Sequence, residues 1–179
     1  MSKNVTDVNS FEEFLHQEFQ QIYEYAKELV EFHGQIMPFV RYLVEHPVGY
    51  ELSSVMMLPM ENKDFTAAVI HMTCKLIQAV GYFFVSESWM ITVPVEESHA
   101  ISKEIETKSL VDIDTPHKKE VLWLMYCGQG GSCTTFAEIT NQPDGSRVLG
   151  ELTERLLAEE VSGRFVNLGN VAVHKEDLI

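Results

Sequence analysis

The sequence predicts an α+β protein with a mainly antiparallel sheet of about five to seven strands and two long amphipathic helices packed on one face. Three observations carry this. Apolar residues recur at helical spacing in two separate segments, 10–33 and 62–80; alternating or two-sided apolar runs mark the segments between and after them; and Pro- or Gly-bearing turns separate successive strand candidates.

The first helix follows from Ser10 and Glu13, spaced as a capping box, and from Phe11, Phe14, Leu15, Ile22, Ala26, Leu29 and Val30 behind them. Glu12, Gln17, Glu24, Lys27, Glu28 and Glu31 fill its other face, Gly34 is a suitable stop, and Pro38 blocks continuation. Segments 39–45 and 50–58 are rich enough in β-branched and aromatic residues for strands, with Pro47 and Gly49 as their turn. Asn62 or Asp64 then caps a second helix whose stripe is Phe65, Ala68, Val69, Met72, Leu76, Ile77 and Val80, ending at Gly81.

Segment 82–93 alternates as a strand. Phe83, Val85, Glu87, Trp89, Ile91 and Val93 fall on one side, with Tyr82, Phe84, Ser86, Ser88, Met90 and Thr92 on the other. Segment 119–127 is apolar on both sides, which predicts a central strand covered twice. The turn Gly128-Gln129-Gly130-Gly131 leads into a strand at 133–140, and Pro143-Asp144-Gly145 into another at 147–151. A short helix at 152–160 and a strand at 164–168 complete the expectation. The segment 94–118 shows no sustained period and reads as a long, mobile connection, either a binding loop or an exposed excursion with an edge strand of its own near 109–113.

A chain of 179 residues holds one core, so 1–179 is read as a single domain. Its 27 acidic and 13 basic side chains give a formal net charge of -14, which repels phosphate backbones; no direct nucleic-acid binding is expected. The polar start lacks an export signal, and His71, Lys75 and Gln78 interrupt the most apolar stretch, so a cytoplasmic protein without a membrane partner is expected. Cys74, Cys127 and Cys133 form neither an even disulfide framework nor paired zinc spacing; free thiols are expected, with a Cys127–Cys133 hairpin bridge as the alternative.

Phosphate loops, dinucleotide glycine patterns, metalloprotease helices and nucleophile elbows are missing from the sequence, and no cofactor or metal is expected. Glu87 is the anomaly, because a carboxylate on the apolar side of a strand must reach solvent, find a donor or be kept neutral. It is the candidate general base, with His117 as its partner; a structural role is the competing reading. Asp112 and Asp114 join His117 as a carboxylate–imidazole grouping, though Asp114-Thr115-Pro116-His117 also reads as an ordinary turn. Trp89 and Trp123 are core anchors that would serve an interface if the sheet face is open.

Ser86-Glu87-Ser88-Trp89-Met90, following a helix and Phe83-Phe84-Val85, resembles an S-E-A-W-M string in an uncharacterised family of small phage and bacterial proteins. The resemblance extends over roughly 38–150, to Lys119-Glu120-Val121 and Val148-Leu149-Gly150. Ser88 replaces the usual alanine, and Pro116-His117 reverses a common His-Pro order. The resemblance implies a phage or prophage setting and a site near Glu87 and Trp89, with no established activity. The leading expectation is a non-enzymatic protein that binds a partner protein or its own copy. The alternatives are a small hydrolase or ligand-binding enzyme built on Glu87, and an acidic decoy of a nucleic-acid-binding protein.

Overall fold

The computed structural model describes residues 8–47, 49–58, 63–109 and 112–157. Among the described residues, three helices and eight strands follow in the order α1 (Val8–His33), β1 (Phe39–His46), β2 (Gly49–Leu52), β3 (Met56–Met57), α2 (Lys63–Ile77), β4 (Ala79–Ile91), α3 (Val95–Thr107), β5 (Lys118–Gly128), β6 (Gly131–Asn141), β7 (Arg147–Leu149) and β8 (Leu156–Leu157). The sheet order is β2-β1-β4-β5-β6-β7, with β3 beside β1 and β8 beside β6. Every pairing is antiparallel, and the sheet is curled like a half-barrel.

The spine is β4 against β5, in register from Gly81↔Gly128 to Ile91↔Lys118. Both strands are buried on two sides because each face has its own helix. On one face, Phe14, Leu15, Phe19, Ile22, Tyr23, Ala26 and Val30 of α1 pack on Phe39, Phe83, Val85, Leu122, Leu124 and Tyr126. On the other, Ile70 and Cys74 of α2 pack on Val40, Tyr82, Phe84, Met125 and Cys127. This corrects the expectation of two helices on one face. The reason is the two-sided apolarity of β4 and β5 itself, since each exposed apolar face needs a cover.

The second helix also differs in length and rotation. It stops at Ile77, because Gln78 takes the left-handed backbone conformation at φ 55 and Ala79 already begins β4. Thr66, Ile70 and Cys74 are buried, while Phe65, Ala68, Met72 and Leu76 of the expected core stripe lie outside. The shift is one residue, or about 100° around the axis. The helix is apolar on nearly every side, so periodicity could not choose between two adjacent stripes.

Three further expectations are corrected. Segment 50–58 divides into β2 and β3 around an interruption where Ser53 donates its backbone N–H to Tyr42 O. The segment 94–118 contains α3 (Val95–Thr107), and of the edge strand expected near 109–113 the described residues Ser109, Asp112 and Ile113 are in no strand, while 110–111 lie outside the described residues. Residues 151–155 are irregular and lead into β8, with no helix over 152–157; the predicted strand at 164–168 lies outside the described residues. Among the described residues, no helix is long and apolar enough to cross a membrane.

Candidate functional site

Glu87 stands where the sequence put it, on the α1 side of β4, in line with buried Phe83 and Val85. Its carboxylate is not free. Arg147 of β7 donates from Nη1 to Oε1 at 2.9 Å and from Nη2 to Oε2 at 3.1 Å, the two-pronged geometry that a planar guanidinium offers a carboxylate. The backbone N–H of Ile36 donates to Oε1 at 2.7 Å.

These contacts follow from the strand pattern. β1 begins at Phe39, opposite Val85, so β4 beyond that point is flanked only by β5 among the described residues. The chain between α1 and β1 passes this open stretch, and Glu87 accepts the Ile36 N–H there. From the far edge of the sheet, Arg147 also donates to Gly34 O at 2.7 Å and pairs with Glu120 Oε1 at 2.8 Å. One guanidinium therefore ties the end of α1, β4, β5 and β7 together. It is 14% exposed against 22% for each carboxylate, so the cluster is only partly open to water. The Arg147 guanidinium is held even more firmly in its charged form than usual: desolvation opposes this, but the hydrogen bonds and charges of Glu87 and Glu120 outweigh it.

Of the other sequence-selected residues only Trp89 borders this cluster, as the cross-strand partner of Glu120; His117, Asp112, Asp114 and Trp123 do not converge on it. The His117 backbone carbonyl accepts the Thr92 N–H, and its own backbone N–H donates to the Thr115 hydroxyl oxygen. That places its backbone five residues along the ladder from Glu87, roughly 16 Å at about 3.3 Å per residue. Asp112 and Asp114 are exposed on either side of Ile113, which is fully buried. Asp112 N–H closes a turn on Ser109 O, and Lys118 Nζ donates to Ile113 O at 2.6 Å. Trp89 shares the Glu87 side and is 36% exposed, with Lys118 Nζ 5.3 Å from its ring centroid. Trp123 lies on the opposite, α2 face, stacked edge-on to Phe84 with its indole N–H donated to the Thr134 hydroxyl. No three His, Cys, Asp or Glu side chains among the described residues are grouped to hold a metal ion.

The cysteines separate in the same way. Cys133 pairs with Tyr126 and Cys127 with Ser132, so their side chains leave the hairpin on opposite faces and cannot bridge in this register. All three are free. Burial pushes the Cys74 thiol up to about 12, with the neighbouring Cys127 adding to the effect.

Sequence reasoning missed Arg147 and Glu120. The available signal was the need of an inward carboxylate for a cation, and Arg147 heads the otherwise apolar strand Arg147-Val148-Leu149. It also missed the outer face of α2, where Phe65, Met72 and Leu76 are 57%, 69% and 84% exposed beside exposed Ala68. Compared with family models, curated proteins and solved structures, the chain matches none of them.

Proposed function

We propose that this chain is a non-enzymatic interaction protein, of the phage or bacterial type suggested by its Ser86–Met90 string, and that the outer face of α2 is its docking surface. The observation that carries this reading is the exposure of Phe65, Met72 and Leu76 along one side of a helix whose other side is packed on the sheet. Scattered apolar residues on a surface need no explanation, but a continuous stripe on one helix is the form taken by helix-mediated recognition. An acid–base enzyme built on Glu87 draws less support, because the oxygens that would take a proton are engaged by Arg147 and Ile36. The decoy reading has only the net charge behind it.

The test compares cross-linked captures from cells by the wild-type chain and by Leu76→Glu, with circular dichroism to verify that the fold is kept. Proteins held by the wild type and lost by the variant are expected. Identical captured sets from both would refute docking on α2.

A further inference from the structure

We infer that the corner where α1 meets β3 is a second docking shelf, and that its occupant is a basic amphipathic helix of another protein. The shelf lies on the α1 face of the sheet, opposite α2, so the inference stands apart from the docking reading above.

Its apolar surface comes from two walls. Along α1, Tyr25, Leu29 and Phe32 recur at i, i+4 and i+7 and so follow one line of the helix. Across from them, β3 sets Met57 opposite Phe39 of β1, and the Tyr25 ring stands edge-on to that same Phe39 at 5.7 Å. Tyr25 is thus already engaged, and it closes the floor between the walls. What the shelf offers a partner is Phe32, Met37 and Met57, exposed to 82%, 58% and 44%. One aromatic ring and two methionines make an apolar surface that can adapt to its occupant.

The class of occupant follows from charge. Glu24, Glu28 and Glu31, all exposed, run along α1 on the solvent side of the line through Tyr25 and Phe32. Glu24 accepts the neutral side-chain amide of Gln20 at 2.8 Å and keeps its charge. Glu28 and Glu31 form no ion pair among the described residues. The nearby lysine and arginine are turned elsewhere: Lys27 is about 200° round the helix from Tyr25, and Arg41 of β1 donates its Nε to Ser53 O at 3.1 Å. Carboxylates at i, i+4 and i+7 repel one another, and cations of a partner helix at the same spacing relieve that repulsion.

An apolar strip with an acidic border therefore selects a helix with an apolar face and a cationic flank. β3 is two residues long, too short for an extended peptide to gain much by pairing with it, which favours a helical occupant. A second copy of this chain is disfavoured, because its net charge of -14 meets the same acidic border.

The probe is a fluorescently labelled peptide of leucine and lysine at amphipathic helical spacing, roughly 18 residues or five turns long. It is titrated with the full chain and read by anisotropy. One helix on a shelf buries less than the roughly 800 Å² per partner of a standard interface, so Kd is expected on the order of 10–100 µM. The same peptide with glutamate for lysine should bind about tenfold more weakly. Phe32→Ser with Met37→Ser should weaken the lysine peptide about tenfold. Glu28→Lys with Glu31→Lys should do the same and turn the preference toward the glutamate peptide. Glu96→Lys with Glu154→Lys changes the net charge equally at exposed positions off the shelf, and should stay within about twofold. Leu76→Glu on α2 should be as silent, and circular dichroism verifies the fold of every variant.

Equal losses from the two charge-reversed pairs would reduce the attraction to net charge and overturn the shelf. So would a lysine peptide indifferent to the loss of Phe32 and Met37. Two other occupants would overturn the assignment: phosphatidylglycerol vesicles that bind the wild type and not Phe32→Ser, or a dimer in sedimentation that the same substitution abolishes.

Discussion

Arg147 neutralises one of two carboxylates that would otherwise repel each other on the same sheet face, and it does so from a strand at the far edge. Replacing it with Met keeps the aliphatic stem and removes the charge, leaving Glu87 and Glu120 partly desolvated without their cation. The expected cost is about 2–3 kcal/mol, below that of a fully buried pair because both carboxylates keep some contact with water. Urea unfolding measures it, and a change under about 0.5 kcal/mol would reduce the cluster to an ordinary surface pair. The thiols give a pH signature of known sign. Burial raises Cys74 from its ordinary 9.0 to about 12 and Cys133 to about 11, so the unfolded chain ionises first as pH rises. Their contribution to stability is intact below pH 9.0 and is lost between there and about 12. Cys74→Ala should flatten the fall in unfolding free energy as pH rises from 9.0 toward about 12, and an unchanged slope counts against it.

At the scale of the element, the β4–β5 ladder depends on two glycines. Gly81 and Gly128 pair directly, and a Cβ on Gly128 would stand 2.4 Å from Gly81 Cα and 2.5 Å from Val80 O. The two nearest atoms are backbone, which cannot swing aside as a side chain can. Gly128→Ala is expected to cost about 3 kcal/mol or to prevent folding, while Gly150→Ala, with ordinary contact distances, stays within about 0.5 kcal/mol. Soluble yield and thermal midpoints of the two variants decide it; equal behaviour would mean that the ladder relaxes freely. The strands of this half were legible from alternation, because a period of two states which side chains share a face. α3 was not, since Val95, Ala100, Ile101 and Ile105 are its apolar residues and make no continuous stripe. The rotation of α2 escaped for the opposite reason, an excess of apolar positions. At the candidate site, alternation singled out Glu87 but was silent about Arg147, sixty residues away, because their meeting depends on strand order.

For the molecule as a whole, the two helix-covered faces share β4 and β5, so neither core can come apart without exposing the back of the other. Trp89 and Trp123 sit on opposite faces and report on them separately. In Trp89→Phe and Trp123→Phe chains, the remaining indole should follow one common unfolding midpoint in urea; midpoints separated by more than about 0.5 M would divide the fold into independent layers. Gln78 gives this coupling a direction. Being the lone residue between α2 and β4, and locked at φ 55, it leaves no slack to absorb a pull on the helix. Whatever grips the outside of α2 thus has a lever on the central strand, and through it on Glu87, which Arg147 clasps from three strands across the sheet.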